Sequence, residues 1–239
     1  MTSDPWLDAL ESLSSIDELN HVLVECRRCP RLVAWREEVA RVKRRAFRDW
    51  DYWGRPVPGF GDDQARLLIV GLAPAAHGGN RTGRSFTGDS SGNFLYRALY
   101  EAGFANQPLS VDRNDGLELR DAYIAAACRC APPDNRPTPE EIETCRPYLL
   151  TELRLLHNLK GIVALGAIGF DAVLTALRAK GHFIPRLKFG HEAYYELGDD
   201  LPWLLGSYHP SQQNTQTGRL TPEMFTAVWQ KARNLLDAD

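Results

Sequence analysis

Residues 66–89 read RLLIVGLAPAAHGGNRTGRSFTGD, an apolar run that opens into small residues, a histidine, two arginines and a single acid. A run that is apolar at successive positions, without polar alternation, belongs inside a sheet covered on both faces. Three more runs of this kind follow: AYIAAACRC at 122–130, GIVALG at 161–166 and PWLLGSYH at 202–209. Helix-like stretches separate them at 90–103, 138–157 and 167–180, and another follows at 221–236. Strands alternating with helices predict a parallel sheet with helices on both faces. In such a sheet, ligands sit beyond the carboxyl ends of the strands. Three of those ends carry unusual polar sequence, at 73–89, 130–137 and 207–219, and the strand at 161–166 ends in the small turn GAIG. A Gly-rich loop after a strand suggests phosphate, yet 71–89 contains neither G-x-x-x-x-G-K-[ST] nor G-x-G-x-x-G.

Helical periodicity also covers 5–24, with Asp4 before Pro5 as a cap, and 31–48; GRPVPGFGDD at 54–63 is a Pro/Gly loop. Thr138-Pro139-Glu140-Glu141 forms a capping box with Pro at the first helical position. Ile142, Cys145, Leu149, Leu153 and Leu156 then mark one apolar stripe, and Pro147 predicts a kink. No internal repeat or low-complexity linker interrupts the chain. Its 239 residues suffice for one large α/β domain with a sizeable core. We read residues 1–239 as one domain, with residues 1–50 a helical, basic extension.

The composition is that of an ordinary globular protein, 44% hydrophobic and 25% charged, with a formal net charge of −3. The opening MTSDPWLDALESLSS is acidic and lacks a basic-then-apolar pattern, so no secretory signal is expected. No apolar run approaches the roughly 20 residues of a membrane span. A cytoplasmic location is the expectation. Charge is unevenly placed: residues 26–50 hold nine Lys/Arg against three acids, a local +6. Such a run is either a solvated helix face or a surface for phosphates.

Five cysteines stand at 26, 29, 128, 130 and 145. A reducing compartment argues against structural disulfides. A C-x-x-C at Cys26–Cys29 with two further cysteines beside Pro-containing turns suits zinc, an iron–sulfur cluster or a redox pair, and spacing alone does not choose. Cys130, at a strand end, is freer to reach a metal than Cys128, which is expected to pack in the core. Among polar candidates, His209 stands where the last strand stops. Phe86 lies between Arg84 and Asp89, and an aromatic face near a carboxylate suits a planar ring beside a bond to be broken. Asp89 also reads as the cap of the helix near Ser90.

GLAPAAHGGNRTGRSFTGD, CAPPDNRPTPEE and HPSQQNTQTGR together closely resemble the family 5 (type b) uracil-DNA glycosylases of bacteria and archaea. The resemblance runs from about Cys26 to the end of the chain. It implies a three-layer α/β/α sandwich with a parallel four-stranded sheet and a [4Fe–4S] cluster on Cys26, Cys29, Cys130 and Cys145. The related type-a enzymes place an acid where this chain has Ala75 and Ala76, so the resemblance assigns the carboxylate to Asp89. They also place a uracil-reading Asn where this chain has Ala125 or Ala126. A pocket without that amide discriminates by shape, on the order of 10² rather than 10⁴–10⁵. Hypoxanthine and other deaminated bases are therefore expected substrates alongside uracil.

On this reading Asp89, His209 and Asn135 carry the chemistry, and Gly71, Ala73, His77 and Phe86 surround the base. Asn80, Arg81, Arg84, Ser211, Gln212, Gln213, Asn214 and Arg219 face the DNA. The partner is double-stranded DNA, with single-stranded DNA left open, and the protein is expected to be a monomer. The competing expectation is a metal-stapled DNA-binding or redox-sensing module without hydrolase activity, against which Asp89 and His209 speak.

Overall fold

The computed structural model describes residues 4–238. In chain order its elements are α1 (Pro5–Ser12), α2 (Ile16–Val24), α3 (Pro30–Val42), β1 (Phe60–Gly61), β2 (Leu67–Gly71), α4 (Gly79–Thr82), α5 (Ser90–Glu101) and β3 (Ala122–Ala126). Then follow α6 (Pro139–Leu155), β4 (Gly161–Leu165), α7 (Ala167–Ala179), β5 (Tyr194–Tyr195), β6 (Trp203–Ser207), α8 (Gln212–Gln216) and α9 (Pro222–Asp237). Short 3-10 turns occupy Arg45–Phe47 and Pro133–Asn135.

The four expected strands are β2, β3, β4 and β6. They pair in parallel in the order β3-β2-β4-β6. Gly71 stands beside Ala126, and Leu165 beside Ser207, so the carboxyl ends finish level. The sheet nevertheless differs from the expected four strands. β1 and β5 add antiparallel edges and make it six-stranded and mixed among the described residues. Each edge strand is two residues long, too short to leave a periodic signal.

Successive side chains of a strand point to opposite faces, and both faces here are apolar. Leu68, Val70, Tyr123, Ala125, Ile162, Ala164 and Leu204 pack on one face against α1, α2, α6 and α7, through residues such as Leu10, Leu19, Tyr148 and Phe170. Leu67, Ile69, Ala122, Ile124, Val163 and Leu205 pack on the other against α5 and α9, through Leu95, Leu99, Phe225 and Trp229. That two-sided burial is why the strands read as continuous apolar runs.

Two expected helices stop early for local reasons. The run at 5–24 divides because the Ser15 side chain caps a new helix, accepting from the Glu18 N–H, while Glu18 reaches back to the Ser14 N–H at 2.7 Å. The run at 31–48 ends at Val42, where Lys43 turns left-handed at φ 57°. The expected capping box of Thr138 and Glu141 is present, and α6 continues through Pro147 as one helix. β3 stops at Ala126 rather than 130, and the next residues bond to the loop after β2: the Cys128 N–H donates to the Leu72 carbonyl at 2.9 Å.

α7 approaches β2 closely: a Cβ on Gly169 would lie 2.8 Å from the Val70 carbonyl oxygen. Gly169→Ala is therefore expected to destabilise the protein by about 1–3 kcal/mol, read as a lower urea midpoint. An unchanged midpoint contradicts this packing.

Candidate active site

β2 ends in a residue without a side chain, and the ring of Phe86 takes that space. A Cβ on Gly71 would lie 3.0 Å from Phe86 Cζ. Phe86 itself adopts φ 53°, a left-handed conformation that a bulky residue holds only where its surroundings impose it. One such constraint is Gly92, in the first turn of α5, where a methyl group would collide with the Phe86 carbonyl. The Phe86 ring faces the imidazole of His209, with centroids 5.7 Å apart and planes inclined by 33°. His209 follows β6, and its carbonyl accepts from the Asn214 side-chain amide at 2.8 Å. The loops after β2 and β6 thus meet at the carboxyl edge of the sheet.

Burial pushes the His209 pKa down to about 4. Its imidazole is neutral at neutral pH and can offer an N–H without carrying charge. A histidine with a depressed folded-state pKa takes up its proton more readily in the unfolded chain. This contribution to stability is complete above the unfolded value and is lost as pH falls toward 4.

Asp89 combines two roles that the sequence left side by side. Its Oδ1 caps α5, accepting from the Gly92 N–H at 2.9 Å. Its Oδ2 lies against the Cα of Gly78, where a methyl group would overlap it. Burial raises its pKa, opposed by the Gly92 and Ser91 N–H groups and by the Arg81 charge. His77 pairs with the Tyr52 hydroxyl at 3.1 Å. Burial, then Arg44 and Arg81, holds its pKa down.

Three of the expected DNA contacts lie inside the protein. Asn80 is fully buried, and its amide donates to the Arg36 carbonyl. Arg81, 2% exposed, lies between the rings of Phe47 and Trp50, 4.0 Å from each centroid. It donates to the carbonyls of His77 and Gly88, both at 2.7 Å. Arg84, 3% exposed, pairs with Asp115. None of these side chains can reach a phosphate as placed, so these three expectations are corrected: the residues brace the loop. By contrast, Gln212, Gln213 and Arg219 are exposed, Ser211 caps α8, and Arg219 stacks on Tyr208 at 4.7 Å. Asn135, exposed, ends the Pro133–Asn135 turn after β3 at φ 55°. Ala73 packs against Leu32, Cys128 and Cys130.

Sequence reasoning missed how the basic segment joins the site. Arg44, Arg45 and Arg48 are exposed, the Arg44 N–H donates to the Tyr52 hydroxyl, and Phe47 and Trp50 clasp Arg81. The local excess of cations was the available signal. A groove of about 890 Å³ opens at the opposite, amino end of the strands, lined by Arg66, Asp121, Lys160 and Trp203 among others. Its Arg66 and Asp121 are bound to each other. The topology favours the carboxyl end instead.

The cysteines gather where α3, α6 and the loop after β3 meet. Burial, then the charges of Cys145 and Cys26, pushes the Cys29 thiol up to about 11. Cys130 is pushed up to about 12 by burial, against the pull of Arg36. Cys145 accepts from the Arg129 N–H at 3.3 Å, and the thiol of the buried Cys128 donates to the Cys130 carbonyl at 3.6 Å. Among the described residues, no group of three or more His, Cys, Asp or Glu is arranged to hold a metal ion. Arg36, 1% exposed, points at this nest: Nη1 lies 2.9 Å from Cys130 Sγ and Nη2 donates to the Cys26 carbonyl. Its Nε is unpartnered, and among the described residues no carboxylate pairs with it. A buried cation without a counter-charge is strongly destabilising, so the nest is suited to a group carrying negative charge.

Titration of the His209 imidazole by NMR is expected to give a midpoint near 4. A midpoint at the ordinary value of about 6.5 contradicts the shielding described above.

A family model described as the uracil DNA glycosylase superfamily matches residues 58–233. Among curated relatives, a type-5 uracil-DNA glycosylase of Mycobacterium bovis is 56% identical over 222 residues, covering 92% of this chain and 82% of the relative. The protein of that description from Thermus thermophilus is 54% identical, covering 89% of this chain and 94% of the relative. One from Pyrobaculum aerophilum is 47% identical, covering 90% and 91%. With its level strand ends, its Phe86–His209 contact and this extent of identity, the chain belongs to the type-5 uracil-DNA glycosylases of the uracil-DNA glycosylase superfamily.

Proposed function

We propose that the protein is a base-excision-repair glycosylase that hydrolyses the N-glycosidic bond of uracil, and of other deaminated bases such as hypoxanthine, extruded from DNA. The observation that carries this reading is the meeting of Phe86 and a neutral His209, with the shielded carboxylate of Asp89 three residues after Phe86 in the same turn. Extrusion from the duplex costs a few kcal/mol. Phe86 offers the ring face on which the flipped base stacks. Gly71 and Ala126, neighbours in the sheet, project no polar group toward it.

Bond cleavage places positive character on the sugar and negative character on the departing base. The neutral His209 donates its N–H to the base oxygen, worth about 3 kcal/mol by analogy with other oxyanion donors. Asp89, anchored through Oδ1, presents Oδ2 to stabilise the sugar cation or orient the attacking water. Asn135 contributes to base or water contact from its loop. Ser211, Gln212, Gln213 and Asn214 fill the gap left by the base, and Arg219 and the basic turn at Arg44–Arg48 meet phosphates.

We further assign a [4Fe–4S] cluster to Cys26, Cys29, Cys130 and Cys145. The unpaired Arg36 cation supports it, because four thiolates around such a cluster leave a net negative charge. Bound there, it supplies a structural link between the N-terminal helices and the sheet, and the hydrolysis needs no redox step.

Purified protein is expected to release free uracil from a uracil-containing duplex. Asp89→Asn and His209→Ala should each lower the rate by roughly 10²-fold or more while retaining DNA binding. Wild type that binds DNA and releases nothing overturns the reading in favour of a binding module. Because burial raises the Asp89 pKa, the rate should fall on acidification from above the ordinary carboxylate range, and Asp89→Asn should lose that limb. In a panel of damaged duplexes with excess enzyme, hypoxanthine release is expected, whereas strict uracil specificity contradicts the argument from Ala126. For the cofactor, brown protein bleached by dithionite is expected, and colourless protein with stoichiometric zinc contradicts it.

A further inference from the structure

Between α5 and β3 the chain makes an excursion. α5 starts beside the site at Asp89 and ends at Glu101, and an isolated bridge then joins Ala105 to Leu119. Between those two residues the loop climbs back to the site, where the Gly88 N–H donates to the Ser110 carbonyl at 2.9 Å.

The tip of this loop is fixed from inside. Arg84 donates through Nη2 to Asp115 at 2.8 and 2.9 Å and to the Ser110 hydroxyl at 2.7 Å, and through Nε to Thr87. Asp115 also accepts from the N–H groups of Val111, Asp112 and Leu117. Asp115 is thus spent on the interior, and the Asp112 carboxylate is engaged by the Asn114 N–H.

What the tip turns outward is apolar and cationic. Leu109 and Val111 are 56% and 52% exposed, on either side of the buried Ser110. Arg113 stacks over Trp53 at 4.6 Å, and among the described residues no carboxylate pairs with it. Exposed apolar side chains on a pinned loop, one hydrogen bond from the residue before Asp89, are continuous with the catalytic surface.

We propose that Leu109 and Val111 form an apolar contact for duplex DNA, packing against the bases and sugars next to the extruded nucleotide, with Arg113 meeting the adjoining backbone. The proposal rests on the glycosylase reading above. Proteins that distort DNA insert apolar side chains at unstacked steps in this way. Arg84 and Asp115 keep the strip rigid, so its ordering cost is met before DNA arrives.

The test uses binding rather than turnover, so that it stands apart from uracil release. The probe is a duplex with a tetrahydrofuran abasic analogue and 2-aminopurine beside it. The double variant Leu109→Ser, Val111→Ser is expected to bind about tenfold more weakly, as loss of modest apolar burial implies, and to evoke a smaller rise in 2-aminopurine fluorescence. Its melting temperature should stay unchanged, because both residues are exposed. Leu109→Met with Val111→Ile should restore both signals, and Arg113→Gln should reduce the salt slope of binding by about one phosphate. Unchanged affinity and fluorescence in the serine variant overturn the proposal. So does unchanged DNA binding combined with loss of a wild-type dimer, which would make the strip a self-association face. Wild type that releases no uracil would count against the glycosylase reading alone, since the binding result is scored independently.

Discussion

The ring of Phe86 lies on the one residue of β2 that lacks a side chain, and most of the site depends on that contact. A left-handed phenylalanine costs on the order of 1–3 kcal/mol and persists only under constraint. Here the constraints come from three directions. Gly92 leaves no Cβ to displace the Phe86 carbonyl. The Tyr96 hydroxyl, deep in the core, donates to the Ser85 carbonyl. The Arg84–Asp115 pair fixes the residues on either side. Asp89 caps α5 three residues further on, so the turn that aims the ring also aims the carboxylate. Relaxing Phe86 would disturb both.

Electrostatics at this edge of the sheet follow from burial of groups in opposite senses. Desolvation removes the charge of His209 and works against that of Asp89, whose ionised form is supported by backbone N–H groups and by Arg81. Arg81 is itself held by carbonyls and aromatic faces. An uncharged donor for a developing anion and a shielded carboxylate for a developing cation suit cleavage that separates charge. Arg36 plays a comparable part at the cysteines, as a cation whose position makes sense beside an anionic group.

The sheet was legible because both faces of each central strand are buried, which leaves uninterrupted apolar runs. The helix starts were legible where a cap and a following acid or proline coincide, as at Asp4 and Thr138. The edge strands were not, being two residues each. The site was legible in its core members, Phe86, Asp89 and His209, because they sit at strand ends and in motifs. Arg81 and Arg84 misled for a physical reason: arginine in a Gly-rich loop looks the same whether its partner is a phosphate or an internal carbonyl and carboxylate. Only tertiary placement shows that Phe47, Trp50 and Asp115 are waiting for them. The role of residues 106–117 had no local signal, since their excursion to Gly88 joins residues more than twenty positions apart.

On the proposed mechanism the base stacks on Phe86, with the His209 N–H at its oxygen and Asp89 at the sugar. The most direct measurement is a crystal structure of the protein with a duplex carrying 2′-fluoro-2′-deoxyuridine, which resists cleavage. The account predicts uracil extruded onto the Phe86 ring, an imidazole nitrogen of His209 within hydrogen-bond reach of a base oxygen, and Asp89 Oδ2 facing the sugar. Uracil left in the stack, or held elsewhere with His209 and Asp89 untouched, would contradict it.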